Sequence, residues 1–136
     1  MRYLLDTNTC IGVLNGTSPA LRKRQQTTRA SEIRLCSVVK AELLYGAEKS
    51  VRPEQVKQKL TMFFARFKSM PFDDAAAAVY GQLRAGLERG GQPIGPNDLL
   101  IAAIAVAGGL TVVTHNVAEF RRVPGLLIED WESPSP

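Results

Sequence analysis

The stretch RYLLDTNTCIGVLNG, Arg2 to Gly16, changes its pattern at a single acid. Tyr3, Leu4 and Leu5 form an unbroken apolar run, which predicts a short buried strand. After Asp6 the chain reads as a short helix that stops at Asn15-Gly16, because glycine readily takes the left-handed conformation that closes a helix. A strand that passes straight into a helix opens a strand–helix–strand unit. Asp6 stands at the junction, where it either caps the helix or projects from the carboxyl end of the strand.

The rest of the chain repeats that alternation. SPALRKRQQTT (Ser18–Thr28) predicts a helix with Ser18 as N-cap and Pro19 at its first position. EIRLCS (Glu32–Ser37) is a second strand, and Ser37 is expected to cap the helix VVKAELLYGAEKS. RPEQVKQKLTMFFARFKS (Arg52–Ser69) is amphipathic, with Val56, Leu60, Phe63 and Phe67 on one stripe. MPFD (Met70–Asp73) is a brief strand or connector, and DAAAAVYGQLRAGLERGG a helix stopped by Gly90-Gly91. IGPNDLLIAAIAVAGG (Ile94–Gly109) predicts a helix buried on most sides, begun near Pro96 and ended by Gly108-Gly109. LTVVTHN is a strand, VAEFRRV a helical turn and LLIEDW a last strand; ESPSP (132–136) reads as a disordered tail. Strands alternating with helices imply an α/β fold with a parallel sheet covered on both faces, in one domain spanning 1–131.

Bulk properties narrow the function. The chain has 136 residues, 45% hydrophobic and 22% charged, and a net charge of +4. This mild basic balance is compatible with a polyanionic partner without requiring one. Its two cysteines, Cys10 and Cys36, and its single histidine, His115, lack the spacing of a zinc site. The cysteines read as small core residues in a reducing cytoplasm. Asp6 interrupts the N-terminal apolar run too early for a signal peptide, and Gly108-Gly109 cut the best apolar stretch short of a membrane span.

In parallel sheets, sites form outside the carboxyl ends of the strands, where strand order reverses. Asp6 ends the first strand, Glu42 lies in the helix after the second, and Asp98 heads the buried helix. Asn116 and Glu119 follow the strand LTVVTHN. Each acid has a plain structural role available: a cap for Asp6, a surface acid for Glu42, the favourable end of the helix dipole for Asp98. Glu42 has no lysine at i±3 or i±4, which argues against a simple helical ion pair. Carboxylates brought together repel unless a cation lies between them, and an all-oxygen set suits Mg²⁺ or Mn²⁺. Metal-assisted hydrolysis of a phosphodiester is the chemistry such a set suggests. Arg22, Lys23, Arg24 and Arg29 would then either follow a phosphate backbone or form a solvated helix face.

Four stretches, LLDTN (Leu4–Asn8), AELLYGAEKS (Ala41–Ser50), PIGPNDLLIAA (Pro93–Ala103) and VVTHNVAEFRRVPGLLIEDW (Val112–Trp131), together resemble the VapC-type PIN-domain ribonuclease toxins. The resemblance spans nearly the whole chain, in order. It implies a PIN-like α/β/α sandwich and Mg²⁺- or Mn²⁺-dependent RNA cleavage that leaves a 5′-phosphate. It also implies a structured RNA substrate such as tRNA, a VapB-type antitoxin and a toxin homodimer. Asp6, Glu42 and Asp98 match the family's three acids and would hold the metal. Where many PIN domains carry an aspartate after the fourth strand, this chain has Asn116, with Glu119 one helical turn on. That leaves the site with less charge, with Asn116 expected to support it and Glu119 to be secondary. Thr114 corresponds to a family hydroxyl near the acids, or packs through its methyl as a strand residue. Met62, Phe63, Phe64 and Phe67 are expected mostly in the core, with some left for the antitoxin or a second copy.

Other classes remain open at this point. A haloacid-dehalogenase-like phosphatase also ends its first strand on an aspartate nucleophile, but Asn8 stands where a second acid would protonate the leaving group. A PIN-like module that binds RNA or protein without cutting is the non-enzymatic reading.

Overall fold

Every residue of Tyr3–Leu5 is buried, although neighbouring side chains on a strand point to opposite faces. Both faces of this strand, β1, are therefore covered. In the computed structural model, which describes residues 1–133, β1 is the centre of a five-stranded sheet of order β3-β2-β1-β4-β5. The other strands are β2 (Ile33–Cys36), β3 (Lys68–Met70), β4 (Thr111–Val113) and β5 (Leu127–Glu129). All adjacent pairs are parallel, and β1 is in register with β4 through Leu5 and Val113. β2 and β4 are also buried throughout, as strands covered on both faces require, whereas the edge strands β3 and β5 are partly exposed.

The helices are α1 (Thr7–Asn15), α2 (Pro19–Thr27), α3 (Ser37–Glu48), α4 (Pro53–Phe64), α5 (Asp74–Arg89), α6 (Pro96–Gly108) and the single turn α7 (Val117–Phe120). α1 stops at Gly16, whose φ of 64° is the left-handed conformation expected of a glycine stop. Ser18 caps α2 by accepting the N–H of Leu21, with Pro19 at the first helical position. α6 is buried along Leu99 and Ile101–Ala105 and ends at Gly109, again left-handed. Leu4, Leu5, Ile33, Leu35, Val112 and Val113 form the sheet side of the core, which Phe120 of α7 joins. Among the described residues no helix is long and apolar enough to cross a membrane.

Some local expectations shift. Ser37 is the first residue of α3 rather than its cap; Cys36 holds the cap position. β3 precedes MPFD, overlapping it only at Met70. Phe67 lies beyond the end of α4, yet it is buried and meets Phe63 edge-on at 5.3 Å. A 3-10 turn over Ala30–Glu32 leads into β2. Of the expected tail, Glu132 and Ser133 turn back onto Asp130 by hydrogen bonds, and 134–136 lie outside the described residues.

The chain lays β2 and β3 to one side of β1, then crosses to place β4 and β5 on the other. The order reverses between β1 and β4, so Asp6 and Thr114, which follow those strands, stand at the switch point.

Candidate active site

Asp6 performs the plain structural role and remains placed for chemistry. It is 4% exposed, and its Oδ1 accepts the N–H of Thr9 at 2.9 Å, which caps α1. Its own N–H donates to the carbonyl of Val113 at 3.1 Å, so the start of α1 is sewn to β4. Thr9 adds a second stitch, its hydroxyl donating to the same carbonyl at 3.1 Å. The cap uses only one carboxylate oxygen of Asp6.

Glu42 projects from α3, and its Oε1 accepts the hydroxyl proton of Thr7 at 2.6 Å. Asp98 sits in the first turn of α6, half-buried. Burial raises its pKa first, followed by the negative charges of Glu119, Asp6 and Glu42; together they push it up to about 6. Asp6 and Glu42, expected from the sequence, thus both bear on Asp98 from separate elements, with Glu119 as a further acid beside it.

Glu119 is more closely engaged than its sequence ranking implied. Its Oε1 accepts the N–H of Gly95 at 2.6 Å, and its Oε2 accepts the side-chain amide of Asn116 at 2.6 Å. The Gly95 N–H holds this carboxyl below its ordinary value, against burial, with help from Asn116 and Arg122. A Cβ at Gly95 would stand 3.4 Å from Glu119 Oε1 and 3.7 Å from Asp98 Oδ2, so the glycine brings bare backbone against both acids. Arg122 steadies the approach by donating to the carbonyl of Pro93 at 3.0 Å. Asn116 is exposed and reaches Asp98 only through Glu119; its N–H donates to the fully buried Thr114 hydroxyl at 2.9 Å. Thr114 thus ties the turn that carries Asn116.

The donor set fits a hard divalent cation. It consists of carboxylate oxygens, with no imidazole in the set. The nearby Cys10 thiol is buried, and its pKa is pushed well up by that burial first and then by the charge of Asp6. The carboxylates of Asp6, Glu42 and Asp98 do not close into a cage: among the described residues, the group with all ligand atoms within 4.8 Å of one another is His115, Asp130 and Glu132. An open set suits Mg²⁺, which keeps several waters and uses few protein carboxylates. The His115 group is paired internally, with Nδ1 3.0 Å from Asp130 and 3.6 Å from Glu132, and Ser133 donating to Asp130.

The basic run divides. Arg24 pairs with Glu129 at 2.9 Å and lies 5.0 Å from the ring centre of Trp131, so it fastens α2 to the β5 edge. Arg22, Lys23 and Arg29 are exposed. Of the aromatic group, Phe63 and Phe67 are core, Phe64 is partly buried and Met62 is 75% exposed.

Residues 3–126 match the PIN domain family. The chain is 42% identical over 131 residues to the tRNA(fMet)-specific endonuclease VapC of Salmonella typhimurium, covering 96% of this chain and 98% of that one. It is 40% identical over 133 residues to ribonuclease VapC2 of Rickettsia felis, covering 97% and 99%. The chain belongs to the VapC-type PIN-domain ribonuclease toxins. Among solved structures, DNA-bound VapBC from Salmonella typhimurium superposes with a TM-score of 0.90 at 42% identity, over 96% of this chain and 98% of that one. VapBC2 from Rickettsia felis, bound to a promoter DNA fragment, gives 0.89 at 39% identity, over 96% and 99%. As a PIN domain the chain has the parallel α/β architecture read from its strand–helix alternation, and the phosphatase reading falls away.

Two contacts of this PIN domain escaped the sequence reading. Glu119 is three residues from Asn116 on a helical turn, a spacing that could have suggested their hydrogen bond. The Thr7–Glu42 pair spans 35 residues and left no local signal.

Proposed function

We propose that this VapC-type protein is an endoribonuclease that hydrolyses phosphodiester bonds in structured RNA, with Mg²⁺ as cofactor and Mn²⁺ as substitute. The observation that carries the reading is the placement of acids from separate elements around the sheet's switch point: Asp6 at the end of β1, Glu42 on α3 held by Thr7, and Glu119 and Asp98 against the Gly95 backbone. Asp6, Glu42 and Asp98 would hold the ion. When bound, it supplies activation of water and stabilisation of charge on the leaving oxygen. Glu119 and Asn116 support Asp98 from the β4 side, and the Gly95 N–H keeps Glu119 ionised beside it. The Salmonella relative's description as tRNA(fMet)-specific supports a tRNA substrate.

The deciding experiment incubates the purified protein with total tRNA in EDTA, then with Mg²⁺ or Mn²⁺ restored, and sequences the 5′ ends of the fragments. Cleavage that requires the ion and leaves 5′-phosphates at defined positions is expected. Melting unaffected by Mn²⁺, with no cleavage, would favour a non-catalytic module.

The VapBC complexes among the structural relatives support a VapB-type antitoxin as the partner, which on this reading blocks the site. Exposed Ile11, Leu44, Tyr45 and Met62 provide apolar surface for it or for a second toxin copy in a homodimer. Both cysteines are buried free thiols, which suits a cytoplasmic location.

RNA binding should weaken with salt, and the split basic run gives separable outcomes. Replacing Arg22 and Lys23 with alanine should reduce the slope of log K against log salt by about 1 per lost phosphate contact. Arg24→Ala should lower the melting temperature, because it removes packing on Trp131 and the Glu129 pair. An Arg22/Lys23 double variant with the wild-type slope would make this run a solvated face.

A further inference from the structure

Glu42 is a long side chain on α3, which carries Lys40 and is followed by Lys49, and neither lysine holds it. Lys40 Nζ lies 5.0 Å from the ring centre of Phe64, and Lys49 Nζ lies 4.6 Å from that of Tyr45. Among the described residues Glu42 enters no ion pair. Much of the wall beside it is apolar, with Ile11, Val38 and Leu100 lining the same groove. The donor that reaches its carboxylate is the hydroxyl of Thr7, 2.6 Å from Oε1.

Thr7 is well placed for this. It is the first residue of α1 and follows Asp6 directly. Within the same turn, the Thr9 N–H holds Asp6 Oδ1 at 2.9 Å and the Thr9 hydroxyl binds the β4 carbonyl of Val113. One helical turn thus fixes Asp6, anchors itself to the sheet and extends a hydroxyl to an acid on another helix. That hydroxyl occupies one oxygen of Glu42 and leaves the second available. Without it, a partly exposed glutamate has several rotamers to explore, and most would carry its charge away from Asp6 and Asp98.

We propose that Thr7 is a positioning residue, its hydroxyl holding the Glu42 carboxylate toward Asp6 and Asp98 so that the cation's acids are assembled before the ion binds. This rests on the reading of these acids as a divalent-cation site. The charge that Glu42 exerts on Asp98 agrees with such placement. Groups that orient metal ligands typically govern affinity by 10–100-fold.

The test compares Thr7→Val, which keeps the shape without the hydroxyl, with Thr7→Ser, which keeps the hydroxyl. Mn²⁺ binding to the full chain is measured by calorimetry, beside RNA cleavage across a Mn²⁺ titration. Thr7→Val should raise the Mn²⁺ Kd by roughly 10-fold, the low end of that range, and recover most of its kcat at saturating Mn²⁺. Thr7→Ser should bind as the wild type does. In a Glu42→Ala background Thr7→Val should add no further loss, because the hydroxyl acts through Glu42. Melting curves check the fold, and Thr7→Ala repeats the comparison if valine perturbs it. An unchanged Kd in Thr7→Val, an equal loss in Thr7→Ser, or a loss that persists without Glu42 would each overturn the proposal. Absence of Mn²⁺ binding and cleavage in the wild type would overturn the cation-site reading along with it.

Discussion

Asp98→Asn should abolish RNA cleavage, leave the chain folded and make it more stable above pH 6 in metal-free buffer. The amide keeps the shape of the side chain in the first turn of α6 but cannot supply an anionic ligand. Its effect on stability follows from the raised pKa, moved from 3.8 to about 6 by burial and then by the charges of Glu119, Asp6 and Glu42. The folded state binds this proton more tightly than the unfolded state. The resulting stability is therefore complete below pH 3.8 and is lost as the pH rises through 6. Asparagine carries no such pH-dependent cost. Discounting for the part of Asp98 in contact with solvent, the gain at pH 8 is about 1–2 kcal/mol. Melting temperatures in EDTA at pH 5 and pH 8, with cleavage of end-labelled RNA, check both halves. An asparagine variant that melts far below the wild type, or cuts at a near-normal rate, would remove Asp98 from the site.

Glu119→Ala should reduce cleavage toward the upper end of the 10–100-fold range for partners that support a metal site, and by more than Asn116→Ala. Glu119 accepts from the Gly95 backbone and is a charge that acts directly on Asp98, whereas Asn116 reaches Asp98 through Glu119. Removing Glu119 therefore frees the Gly95 loop and Asn116 together. Removing Asn116 takes away one hydrogen bond and leaves the Gly95 contact. Asn116→Asp should tighten Mn²⁺ binding by adding an anionic oxygen, at the expense of repulsion from Glu119 in metal-free protein. Activities at matched Mn²⁺ concentrations decide the ranking. Greater damage from Asn116→Ala would restore Asn116 as the principal support.

The strand–helix junction at Asp6 was legible because it depends on neighbouring residues: an unbroken apolar run, an acid suited to capping and a glycine stop. Its two readings proved compatible, since a cap needs one carboxylate oxygen and Asp6 has two. Asp98 was conspicuous for a related reason, as a charge at the head of an otherwise apolar helix. Arg24 shows the opposite case. Within RKR it looks like its neighbours, and only the tertiary fold pairs it with Glu129 of β5, 105 residues away.

Composition, periodicity and helix stops act over a few residues, so they were enough to specify a parallel α/β chain with acids at the carboxyl ends of its strands. The order β3-β2-β1-β4-β5 set Asp6, at the end of β1, beside the turn that follows β4. Which group holds which was settled by contacts between segments: Thr7 on Glu42 across 35 residues, and Gly95 on Glu119 across 24. A hydroxyl or a backbone N–H gives no pattern along the chain to announce a distant partner. Its donor role is assigned only when the crossing of helices and strands sets an acceptor within about 3 Å.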